Sequence, residues 1–378
     1  MGRMTNPSPD LIRAALATVL DPEIRRPITD LGMVRSVDVA DGGAVTVGID
    51  LTTAGCPLKS TITNDVTAAV SKVEGVTSVE VPMGVMTDEQ RTAMRTMLRG
   101  GAPEPVIPFS QPGNLTRVYC VTSGKGGVGK SSVTANLAAA MAAEGLKVGV
   151  VDADIYGFSI PRMLGVQHPP TQVDDMILPP VAHDVKVISI GFFAPPGAPI
   201  VWRGPMLHRA LQQFLSEVYW GDLDVLLLDL PPGTGDVAIS VAQFLPGSEI
   251  IVVTTPQIAA AEVAERTGLF SAQTDQRVVG VVENMSWLET PDGERMEIFG
   301  SGGGAAVAQS LSQSLGYPVP LMAQIPLQQS LREHGDLGHP IAVAENAGTA
   351  GEVLQTLAHD LGHRARGLAG RQLGVSPR

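Results

Sequence analysis

Gly124-Lys125-Gly126-Gly127-Val128-Gly129-Lys130-Ser131 is the stretch that decides the fold of this chain. It follows an apolar run, Val118–Thr122, that predicts a strand, and it precedes Ser131–Glu144, which predicts a helix. The letters match G-x-x-x-x-G-K-[ST], and a strand before the loop with a helix after it is the context that this motif requires. Glycines let backbone N–H groups point inward at an anion, and the helix N-terminus adds partial positive charge. The stretch therefore predicts a phosphate-binding loop (P-loop) for a nucleoside triphosphate.

The polar side chains of this loop have separate predicted roles. Lys130 is expected to contact the β- and γ-phosphates, and the Ser131 hydroxyl to ligate Mg²⁺. Lys125 is a second lysine inside the loop, where most P-loops need no charge. It predicts a phosphate contact in its own subunit or across a dimer interface, although a solvated loop lysine is the alternative. Further nucleotide contacts are expected from Gly124, Gly126, Gly127, Val128 and Gly129.

Polar residues follow three later strands of the same region. Asp229 comes after four apolar residues and predicts a Mg²⁺ ligand acting through water, while Asp154 is expected to orient the attacking water. Asn284 also ends a strand and predicts a hydrogen bond to an adenine edge. Ligands of open α/β sheets bind at the carboxyl ends of strands, so these side chains should lie beside the P-loop. No N-K-x-D guanine motif occurs in the chain, so ATP is predicted rather than GTP.

Short apolar runs alternate with helical stretches from residue 115 to residue 365. Because the runs are apolar throughout, they predict a parallel sheet covered on both faces, and right-handed crossovers would make it a doubly wound α/β fold. The predicted strands are Val118–Thr122, Val148–Val151, Val185–Ile190, Val225–Leu228, Ile250–Thr254, Val278–Val282 and Leu321–Ile325. The predicted helices are Ser131–Glu144, Met206–Tyr219, Ala259–Gln273 and Thr349–Leu361.

Four segments are predicted along the chain. Residues 8–99 form a small α+β domain, and residues 100–114, with four Pro and three Gly, form a linker. Residues 115–365 form the P-loop domain. Residues 366–378 form a disordered basic tail, because their few apolar residues are interrupted by glycines.

Two cysteines and two histidines are candidate ligands of a metal or cluster. Cys56 lies between a strand and a helix, where a helix N-terminus can lower a thiol pKa, so it is either a metal or cluster ligand, a reactive thiol, or an idle buried residue. Cys120 lies in mid-strand and predicts core packing. His359 and His363 are spaced i, i+4 on the last predicted helix, where basic groups suit a helix C-terminus better than a metal site.

Composition excludes several classes of function. The formal net charge is −12, from 26 Lys plus Arg against 38 Asp plus Glu, so general nucleic-acid binding is not expected. No run of about 18 apolar residues predicts a membrane span, and no membrane partner is expected. Two cysteines make no disulfide framework, and together with an N-terminus that lacks a secretion signal they predict a cytoplasmic protein.

Several stretches resemble one family. The loop with its second lysine is similar to the deviant P-loop of the ATPase group that contains MinD, ParA and nitrogenase iron protein. Further similarity lies in Asp152–Gly157, Trp202–Met206, Asp229–Asp236 and Glu283–Ser286. Together these resemble the Mrp/ApbC family of iron–sulfur cluster carrier ATPases over nearly all of 115–360. The first domain resembles the small cluster-assembly domain often fused ahead of these ATPases, through Asp21-Pro22-Glu23, Ile28–Met33 and Thr52–Pro57.

The resemblance implies ATP hydrolysis coupled to handling of iron–sulfur clusters, with client apoproteins as partners. It also implies a homodimer in which Lys125 reaches the partner's site and Asp154 activates water. Many relatives carry a C-x-x-C pair after the Asn-Met segment, but Met285–Gly293 contains no cysteine, so the usual bridging cluster cannot form. Two alternatives remain: a ParA/MinD-like positioning ATPase, and an ATP-gated dimeric adaptor without its own cluster.

Overall fold

The computed structural model describes residues 7–53, 56–98, 106–155, 157–193, 204–257, 266, 269–274, 276–290, 292 and 294–364. The linker prediction, 100–114, lies partly outside these residues, and the predicted tail, 366–378, lies wholly outside them. Most of the predicted helix Ala259–Gln273 and part of the Trp202–Met206 motif also lie outside them.

The N-terminal part is a small α+β unit. Helix α1 begins after Ser8, whose hydroxyl accepts a hydrogen bond from the Asp10 N–H, and it buries Ile12 and Leu16, which are spaced i, i+4 on one face. Strand β2 is the centre of the sheet: β1 pairs with it antiparallel, and β3 and β4 pair with it parallel. The elements are α1 (Pro9–Leu16), β1 (Val34–Val39), β2 (Ala44–Leu51), α2 (Lys59–Val70), β3 (Ser78–Glu80), β4 (Met83–Val85) and α3 (Asp88–Leu98).

The second part is built on a large sheet whose order, among the described residues, is β9-β10-β6-β11-β5-β12-β13-β15, with β14 beside β13. In this order, each strand from β10 through β15 is parallel to the next one. Among the described strands of this sheet, β9 is antiparallel to β10 and β14 is antiparallel to β13. The strands are β5 (Arg117–Ser123), β6 (Val148–Asp152), β7 (Thr171–Val173), β8 (Met176–Leu178), β9 (Val181–Ala182), β10 (Val185–Ser189), β11 (Val225–Asp229), β12 (Glu249–Thr254), β13 (Arg277–Glu289), β14 (Arg295–Met296) and β15 (Leu321–Leu327). This confirms the predicted doubly wound, mostly parallel α/β fold.

Helices cover both faces of this sheet. Alternate residues of β11 show the arrangement, since Leu227 packs in one core and Leu226 and Leu228 pack in the other. The first core holds residues of α4, α5 and α10, and the second holds residues of α6, α7 and α8. The helices are α4 (Lys130–Ala143), α5 (Ile160–Met163), α6 (Gly204–Ser216), α7 (Asp236–Phe244), α8 (Gly303–Leu315), α9 (Gln329–Leu337) and α10 (Gly348–Gly362).

A hairpin of the second part, β7–β8, completes the core of the first. Val173, Met176 and Leu178 are buried among side chains of the small unit. Thr171 donates a hydrogen bond to Glu23 at 3.0 Å, and Arg25 pairs with Asp184 at 2.6 Å. The two parts therefore share apolar and polar contacts and are not joined by the linker alone.

Most predicted elements exist, with shifted ends, but several elements were not predicted. The predicted helix Met206–Tyr219 lies at Gly204–Ser216 as α6, and the predicted strand Val278–Val282 extends to Arg277–Glu289 as β13. The hairpin β7–β8 was missed because each of its strands has only three residues, too few for a periodic signal. None of the described helices combines the length and the apolar character needed to cross a membrane.

Candidate nucleotide site

The glycine-rich loop joins β5 to α4 with backbone that suits glycine. Gly127 and Gly129 have φ of 80° and 79°, a left-handed conformation that other residues adopt only at a cost. Gly129 is the N-cap of α4, and a Cβ there would lie 2.2 Å from the Asn284 amide nitrogen. Glycine at 129 is therefore required both by the turn and by the close approach of Asn284.

Asp229 is the point where the polar groups of the loop meet. Ser131 Oγ donates a hydrogen bond to Asp229 Oδ2 at 2.5 Å, and Lys130 Nζ lies 2.7 Å from the same oxygen. Thr134 Oγ1 donates to the other carboxylate oxygen, Oδ1, at 2.8 Å. Asp229 ends β11 and is fully buried, so these three groups stabilise its charge where water does not reach.

Two more carboxylates lie at the end of β6. Asp152 is directly opposite Asp229 in the β6–β11 register, and it accepts a hydrogen bond from Ser189 Oγ at 3.0 Å. Burial, reinforced by the charge of Asp229, raises the pKa of Asp152 to about 7. Asp154 lies 3.6 Å from Lys130 Nζ, so it shares this lysine with Asp229. The strand ends thus bring together the acids that the sequence singled out, although the catalytic role of Asp154 remains a prediction.

Asn284 and Lys125 make separate contacts at the loop. The Asn284 amide donates to the Val128 carbonyl at 2.9 Å, and its buried Oδ1 has no hydrogen-bond partner among the described residues. Lys125 donates to Gln257 Oε1 at 2.8 Å, away from the carboxylate that Lys130 contacts. A buried acceptor without a partner costs free energy, so Asn284 Oδ1 suits a ligand that brings an N–H group, such as an adenine amino group.

Sequence reasoning missed three polar residues of this site. Thr134 lies one helical turn after Lys130, and that i, i+4 spacing could have placed it on the same face of α4. Asp152 lies two residues before Asp154, and no separate role was predicted for it. Gln257 follows β12, and its contact with Lys125 spans 132 residues, which local sequence patterns do not report.

The donor set fits a magnesium nucleotide. Mg²⁺ prefers oxygen ligands and is held by one or two protein groups together with phosphates. Ser131 and Asp229 present a hydroxyl and a carboxylate within hydrogen-bond distance of each other, and they are the residues that would hold the ion. The P-loop backbone and Lys130 would hold the phosphates. The arrangement is that of a P-loop nucleoside triphosphatase, which is the class of protein to which this chain belongs.

Comparisons with known proteins narrow the class to a family. The family profile described as "NUBPL iron-transfer P-loop NTPase" matches residues 114–362, and one described as "Iron-sulfur cluster assembly protein" matches residues 9–81. The chain therefore belongs to the family of iron-transfer P-loop NTPases, with an iron–sulfur cluster assembly domain at its N-terminal side.

Relatives named as iron–sulfur cluster carrier proteins are similar to this chain over nearly their full length. The "Iron-sulfur cluster carrier protein" of Mycobacterium tuberculosis (strain ATCC 25618 / H37Rv) is 62% identical over 97% of this chain and 96% of its own. The protein of that name from Deinococcus radiodurans is 41% identical over 93% of this chain and 94% of its own. Among solved structures, the nucleotide-binding protein of Archaeoglobus fulgidus in complex with ADP is 37% identical, with a TM-score of 0.50, over 59% of this chain and 86% of that one.

The segment that lacks the C-x-x-C pair forms a hairpin. Strand β13 continues through Trp287 to Glu289, and Leu288 and Glu289 pair with Met296 and Arg295 of β14. The Arg295 guanidinium lies over the Trp287 ring at 4.0 Å from its centroid, a cation–π contact. An aromatic–arginine pair thus occupies this hairpin, which carries no thiol.

Cys56 lies in the small domain near two carboxylates. It is partly buried, and desolvation raises the pKa of its thiol, with the charges of Glu23 and Asp21 adding to the rise. The expectation of a lowered thiol pKa was therefore wrong, because burial and the acids outweigh the hydrogen bond from the Leu58 N–H. Cys120, by contrast, is fully buried in β5 and its pKa is raised to about 11, which confirms core packing.

Glu23 should give the folded protein a measurable pH dependence. Burial and the charge of Asp21 raise its pKa from 4.5 to about 7, so the folded chain holds this proton more tightly than the unfolded chain. Stability is then lost as pH rises from about 4.5 to about 7, with the full penalty above that range. Glu23→Gln stays neutral and keeps an acceptor for Thr171, so we expect a flatter stability profile and a gain in stability at pH 8.

Urea unfolding from pH 5 to pH 8 measures this effect. The exposed acid Glu74 supplies the matched control, and Glu74→Gln should follow the wild-type profile. A Glu23→Gln profile that runs parallel to the wild type over the whole range would contradict the assignment.

Proposed function

We propose that this protein hydrolyses ATP and carries iron–sulfur clusters to client apoproteins. The ATPase part of this proposal rests on one observation. Lys130, Ser131 and Thr134 all contact the buried Asp229 carboxylate. The carrier part is supported by family membership and by the names of relatives that match over nearly the whole chain. We place the reaction in the cytoplasm, where a chain with two unpaired cysteines keeps them reduced.

Each side chain of the site has a separate proposed role in ATP hydrolysis. Bound Mg²⁺ would supply charge neutralisation of the phosphates. Lys130 is held by two carboxylates, at 2.7 Å from Asp229 and 3.6 Å from Asp154, so its side chain is positioned before phosphate arrives. Asp154 orients the attacking water, and Asn284 Oδ1 accepts from the adenine edge. The backbone from Gly124 to Gly129 donates to the phosphates.

A homodimer is the proposed working form. Lys125 donates a hydrogen bond to Gln257, whereas Lys130 is the lysine that contacts the Asp229 carboxylate of its own chain. Because Lys125 does not contact Asp229, it can act in the nucleotide site of a second chain when two P-loops face each other. We therefore propose that ATP brings two chains together and that Lys125 completes the partner's site.

Two variants separate the steps of this dimer cycle. Lys125→Ala should keep ATP binding and lose at least about 100-fold in hydrolysis, because it removes transition-state charge stabilisation. Asp154→Ala should bind ATP without turnover and accumulate as an ATP-bound dimer. Sedimentation velocity with Mg²⁺ and ATP reports the dimer, and phosphate release reports turnover.

Lys147→Ala removes an exposed lysine of the same domain and should behave as wild type in both measurements. A monomeric Asp154→Ala protein at saturating ATP would contradict the water-activating role within a dimer. Wild-type turnover of Lys125→Ala would contradict the role of the second lysine.

The cargo is proposed to bind at Cys56. The chain has two cysteines, and Cys120 is enclosed by the sheet, so Cys56 is the accessible thiol. Burial and the carboxylates of Glu23 and Asp21 raise its pKa, and the same negative charge would attract iron, which must displace the thiol proton to bind. One thiolate per chain gives a dimer two, so a cluster needs further ligands from a carboxylate, a small thiol or a client.

An adaptor without its own cluster is the second candidate function. The hairpin after Asn284, closed by Trp287 and Arg295, offers no thiolate where many relatives carry two. In that case ATP would only set the dimer state, and the small domain would recruit clients. The positioning-ATPase alternative has no observation in its favour among the described contacts.

Anaerobic reconstitution with iron and sulfide separates the candidates. We expect a labile cluster, seen by absorption and iron counting, that is lost in Cys56→Ala while ATP hydrolysis stays within about twofold of wild type, because Cys56 packs against the core of the small unit and belongs to none of the P-loop contacts described above. Cys120→Ala serves as the matched control and should keep the cluster. A stable cluster in Cys56→Ala would refute the cargo site, and no cluster in the wild-type protein would favour the adaptor.

A further inference from the structure

The C-terminal ends of α4 and α10 lie side by side at the surface. Glu144 is the C-cap residue of α4 and His363 is the C-cap residue of α10, with His359 one turn before it. Their side chains are accessible, with exposed fractions of 29% for Glu144, 61% for His359 and 50% for His363. Two imidazoles and a carboxylate from two helices therefore share one patch of surface.

The three side chains converge on one small volume. Glu144 Oε2 lies 3.3 Å from His359 Nδ1 and 3.4 Å from His363 Nδ1. The ligand atoms of the three residues all lie within 4.8 Å of one another, and the two rings stack with centroids 4.4 Å apart. Spacing along the sequence suggested only the two histidines, and the carboxylate comes from a helix more than 200 residues earlier.

These distances suit a shared metal ion better than direct hydrogen bonds. An N–H···O hydrogen bond spans about 2.7–3.2 Å, which is shorter than both separations. With bonds of about 2.1 Å, neighbouring ligand atoms of a tetrahedral zinc site are about 3.4 Å apart. His363 Nδ1 also lies 3.1 Å from the His359 carbonyl oxygen, a hydrogen bond that is lost when the ring proton moves to Nε2 and Nδ1 binds the metal.

Packing holds the two helix ends in this arrangement. The end of α10 is anchored because Tyr119 donates to the Leu361 carbonyl at 3.0 Å and Arg117 donates to the Gly362 carbonyl. At Gly362 a Cβ would lie 2.7 Å from Leu146, so α10 lies close against the chain that follows α4. The ligands are thus presented by fixed backbone, as a preformed metal site requires.

We propose that Glu144, His359 and His363 bind a divalent transition metal of the Zn²⁺, Co²⁺ or Ni²⁺ type. Imidazole nitrogen with one carboxylate favours these ions over Mg²⁺, which takes oxygen ligands. Three protein ligands leave a fourth position for water or for a group on another molecule. The ion joins the C-terminal end of α4 to α10.

This site is separate from the nucleotide site. Helix α4 has 14 residues, so its C-terminal end lies about 20 Å from Lys130 at its N-terminus. It is also separate from the cargo thiol, because neither Cys56 nor its neighbouring acids belong to the cluster. The two histidines make no contact with the P-loop groups described above, so their replacement should leave ATP hydrolysis unchanged.

Titration of the full-length chain without an affinity tag, using Zn²⁺ and Co²⁺ salts, tests the proposal. We expect one ion per chain at micromolar concentration in a Cys56→Ala background, which removes the competing thiol. Bound Co²⁺ should show the intense visible absorption of a tetrahedral site. His359→Gln, His363→Gln and Glu144→Gln should each weaken binding at least tenfold and abolish the metal-dependent rise in Tm.

His168→Gln changes a histidine elsewhere in the same domain and should bind as the background does. Unchanged ATP hydrolysis in each variant shows that the protein is folded. Equal metal binding by the background and by the His359→Gln/His363→Gln double variant would overturn the proposal, as would the absence of binding at millimolar metal.

Discussion

The buried carboxylate of Asp229 is the constraint on which the rest of the site depends. Removing a carboxylate from water costs several kcal/mol unless charges and hydrogen bonds replace the water. Lys130, Ser131 and Thr134 supply these from the first turns of α4, so the helix must start at a fixed place relative to β11. The strand order β6-β11-β5 provides that placement, since it sets the loop after β5 beside the end of β11.

The fold and the nucleotide loop were predictable because their signals are local. Buried parallel strands are apolar throughout, and the loop motif needs eight consecutive residues with a strand before and a helix after. Contacts between distant segments were not predictable in this way. Three such contacts depend on tertiary packing. Lys125 donates to Gln257, Glu144 lies beside two histidines, and the hairpin β7–β8 packs in the core of the small domain. The pKa of Cys56 was misjudged for the same reason, because it is raised by burial and by Glu23 and Asp21, which lie far from Cys56 in sequence.

The small domain and the ATPase are linked by more than a connecting segment. Glu23 accepts from Thr171 across the two parts, and it also raises the pKa of the Cys56 thiol. A change in the position of β7 would therefore alter the surroundings of the proposed cargo thiol directly.

Separate measurement of ATP binding and of Mg²⁺-dependent phosphate release in Asp229→Asn tests the central claim most directly. Asparagine keeps an acceptor for Ser131 or Thr134 but loses the charge that holds Lys130 and the ion. The account predicts ATP binding within about tenfold of wild type and a loss of at least about 100-fold in turnover. Lys130→Ala, as the comparison, should lose binding as well as turnover. Phosphate release by Asp229→Asn within a few-fold of wild type would contradict the account.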